Sequence, residues 1–445
     1  MNTKRRAKAR IIAFISLGCA KNLVNTEQMM YLVREAGYEV TGRTDDADVV
    51  VVNTCAFIES AKMEAIETIL EMAKAKRAGM VKKIIVAGCL PERYRNEFMG
   101  ELPEVSAVIG VGSFDDIVSA LEQVQEDKKG IVLFGDKDAP VSETNRIVTT
   151  SDTWAYLKVA DGCDNRCAYC VIPDIRGCYR SRPIGNIINE AQELAQRGTR
   201  ELILVAQDLT RYGLDLYGKR SLSRLLKELN AITTLKWIRL LYLYPSDIDD
   251  ELIDVIAESE KIVKYLDIPI QHINDGILKK MNRRGSGTEI RVLFKHLRER
   301  IPGLVLRTSI ITGLPGEGEE EFTELCDFLR EAKIERAGVF PYSPEDGTAA
   351  ALMEIPDTEV AERRAERVTE IQSHIMDEFN QSRVGSVTTV LVEGSVNGVY
   401  YGRSYTESPD VDGYVTIYGE GLSDNSFVDV RITGSENGEL AGEVI

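Results

Sequence analysis

Three cysteines span only eight residues of the chain, at positions 163, 167 and 170. Three thiolates at this spacing can bind three irons of one four-iron cluster, because cysteine thiolates are the usual ligands of such clusters. No fourth cysteine completes a ferredoxin pattern, so one iron would stay open to a substrate-like ligand. The alternative is a zinc knuckle completed by Cys178 or a histidine, but only three histidines exist and none is near.

Three further cysteines, Cys19, Cys55 and Cys89, lie more than thirty residues apart. Each follows one of the first three predicted strands, and the carboxyl ends of parallel strands share one edge of a sheet, where ligands bind. We therefore expect the three thiols to hold a second cluster. The alternative is three buried, incidental thiols, since free cysteine is among the most buried residue types.

Residues 10–125, which contain Cys19, Cys55 and Cys89, alternate between predicted strands and predicted helices. This alternation predicts a doubly wound parallel sheet. A third helix is expected to open at Pro91. The predicted strands are 10–17, 48–52, 83–87 and 105–109, and the predicted helices are 23–36, 58–78 and 114–124. Residues 126–151 lose the periodicity and are expected to form a linker.

Residues 152–380 repeat the alternation six times, which predicts a partial (β/α)6 barrel. The expected strands are 155–160, 201–206, 237–244, 265–270, 304–311 and 336–342, and a long charged helix, 358–381, closes the segment. Residues 382–445 carry strand-like runs separated by Gly, Asn, Asp and Ser, which predicts a small antiparallel β-barrel. Its expected strands are 386–393, 399–404, 414–418 and 427–432. The predicted fold class is thus a multidomain α/β protein.

Composition excludes several classes of protein. The chain has 445 residues, 44% of them hydrophobic and 28% charged, which excludes a disordered chain and a small disulfide scaffold. No apolar run approaches the ~20 residues of a membrane-spanning helix. The net charge of −17 argues against broad phosphate binding. Lys4–Arg6 before an apolar stretch looks like a short lipoprotein signal, but the stretch also reads as a buried strand, and we expect a cytoplasmic protein.

The triplet resembles that of the radical S-adenosylmethionine (SAM) superfamily, which has this spacing and an aromatic residue, here Tyr169, before the last cysteine. The resemblance implies that the open iron binds SAM and that the reduced cluster cleaves it to a 5′-deoxyadenosyl radical. A three-strand cysteine set before this triplet, with a β-barrel behind it, resembles the methylthiotransferase family over nearly the whole chain. The resemblance implies two 4Fe–4S clusters, two SAM per turnover and a C-terminal TRAM domain.

Two branches of that family compete. One modifies an adenosine beside the tRNA anticodon, and the other modifies an aspartate of ribosomal protein uS12. Several stretches resemble the protein-modifying branch: Ser16-Leu-Gly-Cys-Ala-Lys-Asn-Leu-Val-Asn-Thr-Glu27, Asn53-Thr-Cys-Ala-Phe-Ile-Glu-Ser-Ala61, Gln207-Asp-Leu-Thr-Arg-Tyr-Gly213, Tyr265-Leu-Asp-Ile-Pro-Ile-Gln-His272 and Pro341-Tyr-Ser-Pro344. The resemblance predicts uS12, free or within the small ribosomal subunit, as substrate, and flavodoxin or ferredoxin as electron donor.

The charge of the last module points to the same branch. From Val384 onward the chain has ten acidic residues, two arginines and no lysine. An RNA-binding module should offer basic side chains to phosphates, whereas an acidic surface suits a basic ribosomal protein. The alternative is that the acidic surface only keeps the protein soluble. A third hypothesis for the chain is a non-catalytic iron–sulfur sensor or electron carrier, which would not cleave SAM.

The resemblance also suggests contacts to SAM. Gln207 and Gln271 end the second and fourth core strands, and Gly313 follows the fifth, in a stretch that resembles a glycine-containing adenosine contact. Each is equally compatible with a strand-end polar group or a plain turn. Arg176, Arg180 and Arg182 either face SAM or substrate carboxylates or lie on a solvated loop. Cys178 is expected to be a loop thiol and Cys326 a core residue.

Overall fold

The computed structural model describes residues 11–445 apart from Asn96, Lys129 and Asn437. The basic stretch Lys4–Arg6 and the first residue of the first predicted strand, Arg10, therefore lie outside the described residues. The chain forms two compact units. Unit 1 comprises the chain up to Thr149 with Ala160–Asp164 and Cys170–Arg182, and unit 2 comprises Thr150–Val159, Asn165–Tyr169 and Pro183–Ile445.

Unit 1 is built on a six-stranded parallel sheet in the order β2-β1-β3-β4-β5-β6. Its strands are β1 (Ile11–Ser16), β2 (Glu39–Thr41), β3 (Val49–Thr54), β4 (Lys83–Gly88), β5 (Ala107–Ile109) and β6 (Ile131–Leu133). Its first helices are α1 (Ala20–Glu35), α2 (Glu59–Arg77), α3 (Cys89–Arg93), α4 (Phe98–Glu101) and α5 (Ile117–Gln125), with a 3₁₀ helix at Val111–Asp116. The run of valines in β3 is buried at every position, as a strand covered on both faces must be.

The prediction missed two strands of this sheet. β2 and β6 lie at the two edges of the sheet, so each pairs on one side only. Each is three residues long, which is too short to show a periodic apolar pattern. β6 falls inside the segment that was expected to be a linker. Residues 142–146 of that segment also pack on α1, since Arg146 forms a buried ion pair with Glu27 and Gln28 donates to the carbonyls of Ser142 and Thr144.

Two predicted helix starts were also wrong. α1 begins at Ala20 rather than Leu23, because Gly18 has φ 85° and Cys19 caps the helix in an extended conformation. The expected third helix is two short ones, and α3 begins at Cys89 rather than Pro91. α1 therefore starts directly after a cysteine, and α3 starts at one.

The segment after Thr149 alternates between the two units. It contains β7 (Trp154–Lys158), β8 (Ala160–Asp161), α6 (Ile172–Arg176) and β9 (Arg180–Ser181). β8 and β9 pair antiparallel in unit 1. β7 belongs to the sheet of unit 2.

The sheet of unit 2 has six parallel strands in the order β14-β13-β12-β11-β10-β7. These strands are β10 (Glu201–Val205), β11 (Trp237–Leu240), β12 (Ile262–Asp267), β13 (Val305–Thr312) and β14 (Arg336–Pro341), with β7. Each strand neighbours the next one of the sheet along the chain, and the two end strands do not pair, so the sheet is an open, partial barrel. The fold class is confirmed. β11 ends before its predicted end at Tyr244, because Tyr242 has φ 65°, outside the range of a strand.

Eight helices lie between and after these strands in the part of unit 2 that the structure describes. They are α7 (Ile184–Gln196), α8 (Leu214–Tyr217), α9 (Leu222–Asn230), α10 (Asp250–Glu258), α11 (Asp275–Lys280), α12 (Gly287–Arg300), α13 (Glu319–Ala332) and α14 (Thr358–Arg383). Short 3₁₀ helices occur at Leu209–Arg211, Pro245–Asp247 and Ala350–Leu352. Across the described residues, no helix combines the length and the apolar character needed to cross a membrane.

The C-terminal module is a closed five-stranded barrel in the order β15-β16-β17-β19-β18. Its strands are β15 (Val387–Val396), β16 (Val399–Arg403), β17 (Val415–Tyr418), β18 (Phe427–Glu436) and β19 (Glu439–Val444). Four of the pairings are antiparallel, and β17 with β19 is parallel. The prediction missed β19, whose few apolar residues give little alternation.

A buried ionic group joins this barrel to the core of unit 2. Arg403 of β16 forms ion pairs with Glu393 and with Glu201 of β10, and Glu201 also accepts from Arg239 of β11. Arg403, Glu201 and Arg239 are fully buried. Both tryptophans of the chain report on this junction, since Trp154 lies under the guanidinium of Arg403 and Trp237 packs edge-on against Phe427.

Removing one partner of this group should destabilise unit 2 strongly. We expect Arg403→Met to lower the free energy of unfolding by about 3–5 kcal/mol, because Glu201 and Glu393 would be left buried without their counterion. Urea unfolding followed by tryptophan fluorescence measures the change. Arg431→Met, at an exposed position of the same barrel, is the control and should change stability by less than about 0.5 kcal/mol. Equal stability of the two variants would contradict the prediction.

Candidate functional site

The structure brings Cys19, Cys55 and Cys89 to the carboxyl edge of the sheet in unit 1. Cys19 follows β1 and caps α1, Cys55 comes directly after β3, and Cys89 directly after β4. The strand order 2-1-3-4-5 has its switch point between β1 and β3, which is where folds of this class bind ligands. Two of the three cysteines thus flank the switch point, and the third lies on the next strand.

Two buried asparagines hold these three loops together. The side chain of Asn22 donates to the carbonyls of Leu17 and Thr54. The side chain of Asn53 donates to the carbonyl of Asn22 and to the hydroxyl of Thr26. The hydroxyl of Thr54 in turn accepts from the amide of Leu90. Each cysteine loop is therefore fixed to its neighbour by hydrogen bonds that water does not reach.

Two glycines allow the loops to approach this closely. A Cβ on Gly18 would lie 2.5 Å from Cβ and 3.0 Å from Sγ of Cys55. A Cβ on Gly88 would lie 2.3 Å from Oδ1 of Asn53. Both glycines also have positive φ, 85° and 98°, a conformation that a side chain disfavours. The backbone before Cys19 and before Cys89 is therefore specific to glycine.

The three thiols differ in how readily they ionise. Burial raises the pKa of Cys55 to about 12, and the neighbouring Cys89 and Cys19 add to the effect. Burial also raises the pKa of Cys89, although Arg176 opposes it. At Cys19 the charges of Lys21 and Arg176 and the backbone amides at the start of α1 outweigh burial, so its pKa is lowered. Cys19 is thus the thiol best prepared to bind a metal as thiolate.

Arg176 lies beside these thiols. Its guanidinium donates to Sγ of Cys89 at 3.5 Å and to the side chains of Asn22, Asn25 and Asp161 at 3.0–3.1 Å. The side chain is 1% exposed, so the interpretation as a solvated loop was wrong for this residue. It was also wrong for Arg182, which is buried and pairs with Glu143. Sequence reasoning missed the role of Arg176, because Cys89 lies 87 residues away.

Cys163, Cys167 and Cys170 are all partly exposed. Cys163 and Cys170 belong to unit 1, where the amide of Cys163 donates to the carbonyl of Gly177, and Cys170 precedes α6. Cys167 belongs to unit 2, where the guanidinium of Arg283 lies 3.9 Å from its Sγ. The spacing of the triplet remains the basis for its assignment as a ligand set.

The loop around Cys167 is fixed in unit 2 by backbone hydrogen bonds. The amide of Ala168 donates to the carbonyl of Met281, and the carbonyl of Ala168 accepts from the amide of Ala350. Arg283 also donates to the hydroxyl of Tyr169 and stacks on the ring of Tyr244. Tyr169 is therefore held by Arg283, a partner that the sequence did not indicate.

The candidate SAM contacts all lie at the carboxyl edge of the barrel in unit 2. Gln207 follows β10, Gln271 follows β12 and Gly313 follows β13. Gln271 has φ 71°, and its backbone pairs with β13. The amide of Gly313 donates to Glu317, and a Cβ there would lie 2.3 Å from that of Ala361 in α14. Helix packing alone therefore requires a glycine at position 313, and all three contacts remain predictions.

The two remaining cysteines, Cys326 and Cys178, are not among the candidate cluster ligands. Cys326 is buried in α13, as a core residue should be. Cys178 is exposed in unit 1. Within the described part of the chain, no three or more His, Cys, Asp or Glu side chains converge closely enough to hold a single metal ion. The ligands of an iron–sulfur cluster bind separate irons, so they need not converge on one point.

The close approach of Gly18 to Cys55 gives a test of the first cysteine set. Gly18→Ala should abolish iron binding by this set, because the added methyl group would displace Cys55. The control is Gly37→Ala, which has a similar φ of 89° but no atom within 4 Å of the added Cβ, so it should keep the iron. Iron and sulfide bound after anaerobic reconstitution are the measurement. Equal iron in both variants would contradict the geometry.

Three family models match the chain in order. Residues 11–110 match the family described as uncharacterized protein family UPF0004, residues 157–329 match the radical SAM superfamily, and residues 384–445 match the TRAM domain. Among solved structures, the radical SAM methyltransferase TsrM from Kitasatospora setae is similar, with a TM-score of 0.55 and 14% identity over 88% of this chain and 77% of that chain. The cobalamin-dependent SAM radical enzyme OxsB has a TM-score of 0.52 and 12% identity over 80% and 56%. These likenesses show the fold.

Curated relatives match the chain from end to end. A relative from Caldanaerobacter subterraneus subsp. tengcongensis is 48% identical and covers 98% of this chain and 100% of its own length. A relative from Pelotomaculum thermopropionicum is 48% identical, with 98% and 99% covered. Both are named ribosomal protein uS12 methylthiotransferase RimO. At this identity and coverage, and with a radical SAM domain followed by a TRAM domain, the chain belongs to the RimO family of radical SAM methylthiotransferases.

Proposed function

We propose that this chain attaches a methylthio group to the β-carbon of an aspartate in ribosomal protein uS12, in place of one hydrogen atom. The observation that carries the proposal is the end-to-end similarity, at 44–48% identity, to eight relatives that are named ribosomal protein uS12 methylthiotransferase. The placement of Cys19, Cys55 and Cys89 at one sheet edge supports it, because it provides a second thiol site besides the triplet.

Two 4Fe–4S clusters would be held by two sets of three thiols. The first set is Cys19, Cys55 and Cys89, and the second is Cys163, Cys167 and Cys170. The first set fits such a group for two reasons. The close approach at Gly18 brings Cys55 next to the loop that carries Cys19, and Arg176, which donates to Cys89, places a positive charge beside the thiols. When bound, the second cluster supplies the electron that cleaves SAM, and two SAM per turnover would provide the methyl group and the radical.

The chain's own residues prepare these sites. Lys21 and Arg176 favour the thiolate of Cys19, the form that binds iron. Arg283 lies against Cys167 and fixes the hydroxyl of Tyr169. Gln207, Gln271 and Gly313 would contact SAM from the carboxyl edge of the barrel, where folds of this type carry their active sites.

The barrel surface supports a basic protein as substrate. Four of its acidic residues face the core of unit 2: Glu393 and Glu407 pair with arginines, and Asp410 and Asp412 accept from tyrosine hydroxyls. Among the described residues from 384 onward, the exposed charged side chains are one arginine, Arg431, and seven carboxylates, those of Asp410, Glu420, Asp424, Asp429, Glu436, Glu439 and Glu443. Such a surface repels a phosphate backbone and attracts a basic ribosomal protein.

The proposed reaction also implies partners. A low-potential electron carrier such as flavodoxin or ferredoxin would reduce the second cluster. The substrate would be met free or within the small ribosomal subunit, and therefore in the cytoplasm. A tRNA remains the competing substrate, and the acidic barrel argues against it.

A mass measurement tests the reaction. Protein reconstituted with iron and sulfide under anaerobic conditions should add one methylthio group in place of hydrogen to a peptide that carries the uS12 aspartate loop. The mixture contains SAM, a reductant and a sulfide source, and 5′-deoxyadenosine should appear with the product. Cys170→Ala should give neither. Deoxyadenosine without modified peptide, together with modified tRNA, would overturn the choice of substrate.

Removing negative charge from the C-terminal barrel tests whether its acidic surface attracts the substrate. Glu436→Gln, Glu439→Gln and Glu443→Gln together should slow the association with uS12 several-fold at low salt and change it little at high salt, because exposed charges steer encounter. Surface plasmon resonance measures the rates. The control changes three exposed acids of α2 to glutamine: Glu64, Glu67 and Glu71. Equal effects of the two sets would show that net charge alone matters.

A further inference from the structure

The side chain of Arg176 is almost fully buried, yet only one of its guanidinium nitrogens donates to a carboxylate, that of Asp161. Nη1 donates to Oδ2 of Asp161 at 3.1 Å and to Oδ1 of Asn25 at 3.0 Å. Nη2 donates to Oδ1 of Asn22 at 3.0 Å and to Sγ of Cys89 at 3.5 Å. Half of the guanidinium therefore points to neutral amides and a thiol, and a buried charge is costly unless its surroundings compensate for it.

The positive charge of Arg176 would act on any group bound to Cys89. A guanidinium stays protonated at every physiological pH, so Arg176 remains a fixed positive charge. Hydrogen bonds to the sulfur ligands, net charge and solvent exposure are the factors that set the reduction potential of an iron–sulfur cluster. Arg176 supplies the first two, and its burial provides an environment in which screening by water is weak.

We infer that Arg176 is a positioning residue that raises the reduction potential of the cluster held by Cys19, Cys55 and Cys89, and that Asp161 moderates this effect. The inference rests on the proposed function, since it requires a cluster at these cysteines. When the cluster is reduced, it gains one electron from an external reductant such as dithionite, and Arg176 gains and loses no proton. A positive charge beside the sulfur stabilises the more negative, reduced form.

The position of Arg176 in the sequence links the two cysteine sets. It lies at the end of α6, six residues after Cys170. One short segment thus provides a candidate ligand of the second cluster and the charge beside the first. This placement explains why the arginine of this segment is buried in unit 1, where Asn22 and Asn25 of α1 receive it.

A redox titration of the first cluster tests the inference. The parent is the full chain with Cys163→Ala, Cys167→Ala and Cys170→Ala, reconstituted under anaerobic conditions and titrated with dithionite while the electron paramagnetic resonance signal is recorded. Arg176→Gln should lower the ratio of reduced to oxidised cluster about tenfold at a fixed potential, a shift of about 59 mV to more negative values. Arg176→Lys should keep most of the parent's potential, and Asp161→Asn should shift it in the positive direction.

A matched control separates charge from packing. Arg182→Gln removes another buried arginine of the same segment, one that pairs with Glu143, and the reduction potential of the cluster in this variant should equal the parent's. A loaded Arg176→Gln variant with an unchanged potential would overturn the inference. If that variant does not load, an unchanged potential of Asp161→Asn overturns it, and a positive shift supports it. A parent that binds no iron would instead refute the proposed cluster site, and the inference with it.

Discussion

The alignment of parallel strands is the constraint on which the cysteine site of unit 1 depends. Because β1, β3 and β4 run in the same direction, their carboxyl ends meet at one edge, and Cys19, Cys55 and Cys89 meet there too. The strands alone bring the loops near one another. The asparagine hydrogen bonds and the glycines then set the distances between the thiols.

Each cysteine set has a guanidinium close to one of its sulfurs. Arg176 donates to Cys89 in unit 1, and Arg283 lies near Cys167 in unit 2. In both cases burial opposes the charge of the arginine but is more than offset, so the pKa of each arginine is raised: at Arg176 by two cysteines and Asp161, and at Arg283 by two tyrosines and Cys167. A permanently charged arginine near a sulfur stabilises a thiolate before metal binding and influences the electron affinity of a cluster afterwards.

Sequence patterns predicted the long elements and the positions of the cysteines, because buried parallel strands are apolar throughout and the cysteines follow them directly. They missed β2, β6 and β19, which are short or poor in apolar residues. The role of Arg176 could not be predicted, since its partner Cys89 lies 87 residues away in the sequence. A signal for the asparagines was present, however, because Asn22 and Asn53 lie within three residues of a cysteine and are buried polar side chains, which need hydrogen-bond partners.

The most direct test of this account is the iron and sulfide content of three forms of the full chain after anaerobic reconstitution. The chain itself should bind about eight irons, since each 4Fe–4S cluster holds four. The variant that replaces Cys19, Cys55 and Cys89 by alanine should bind about four, and so should the variant that replaces Cys163, Cys167 and Cys170. Full iron content in the first variant would contradict the central claim, that the edge of the first sheet holds a cluster of its own.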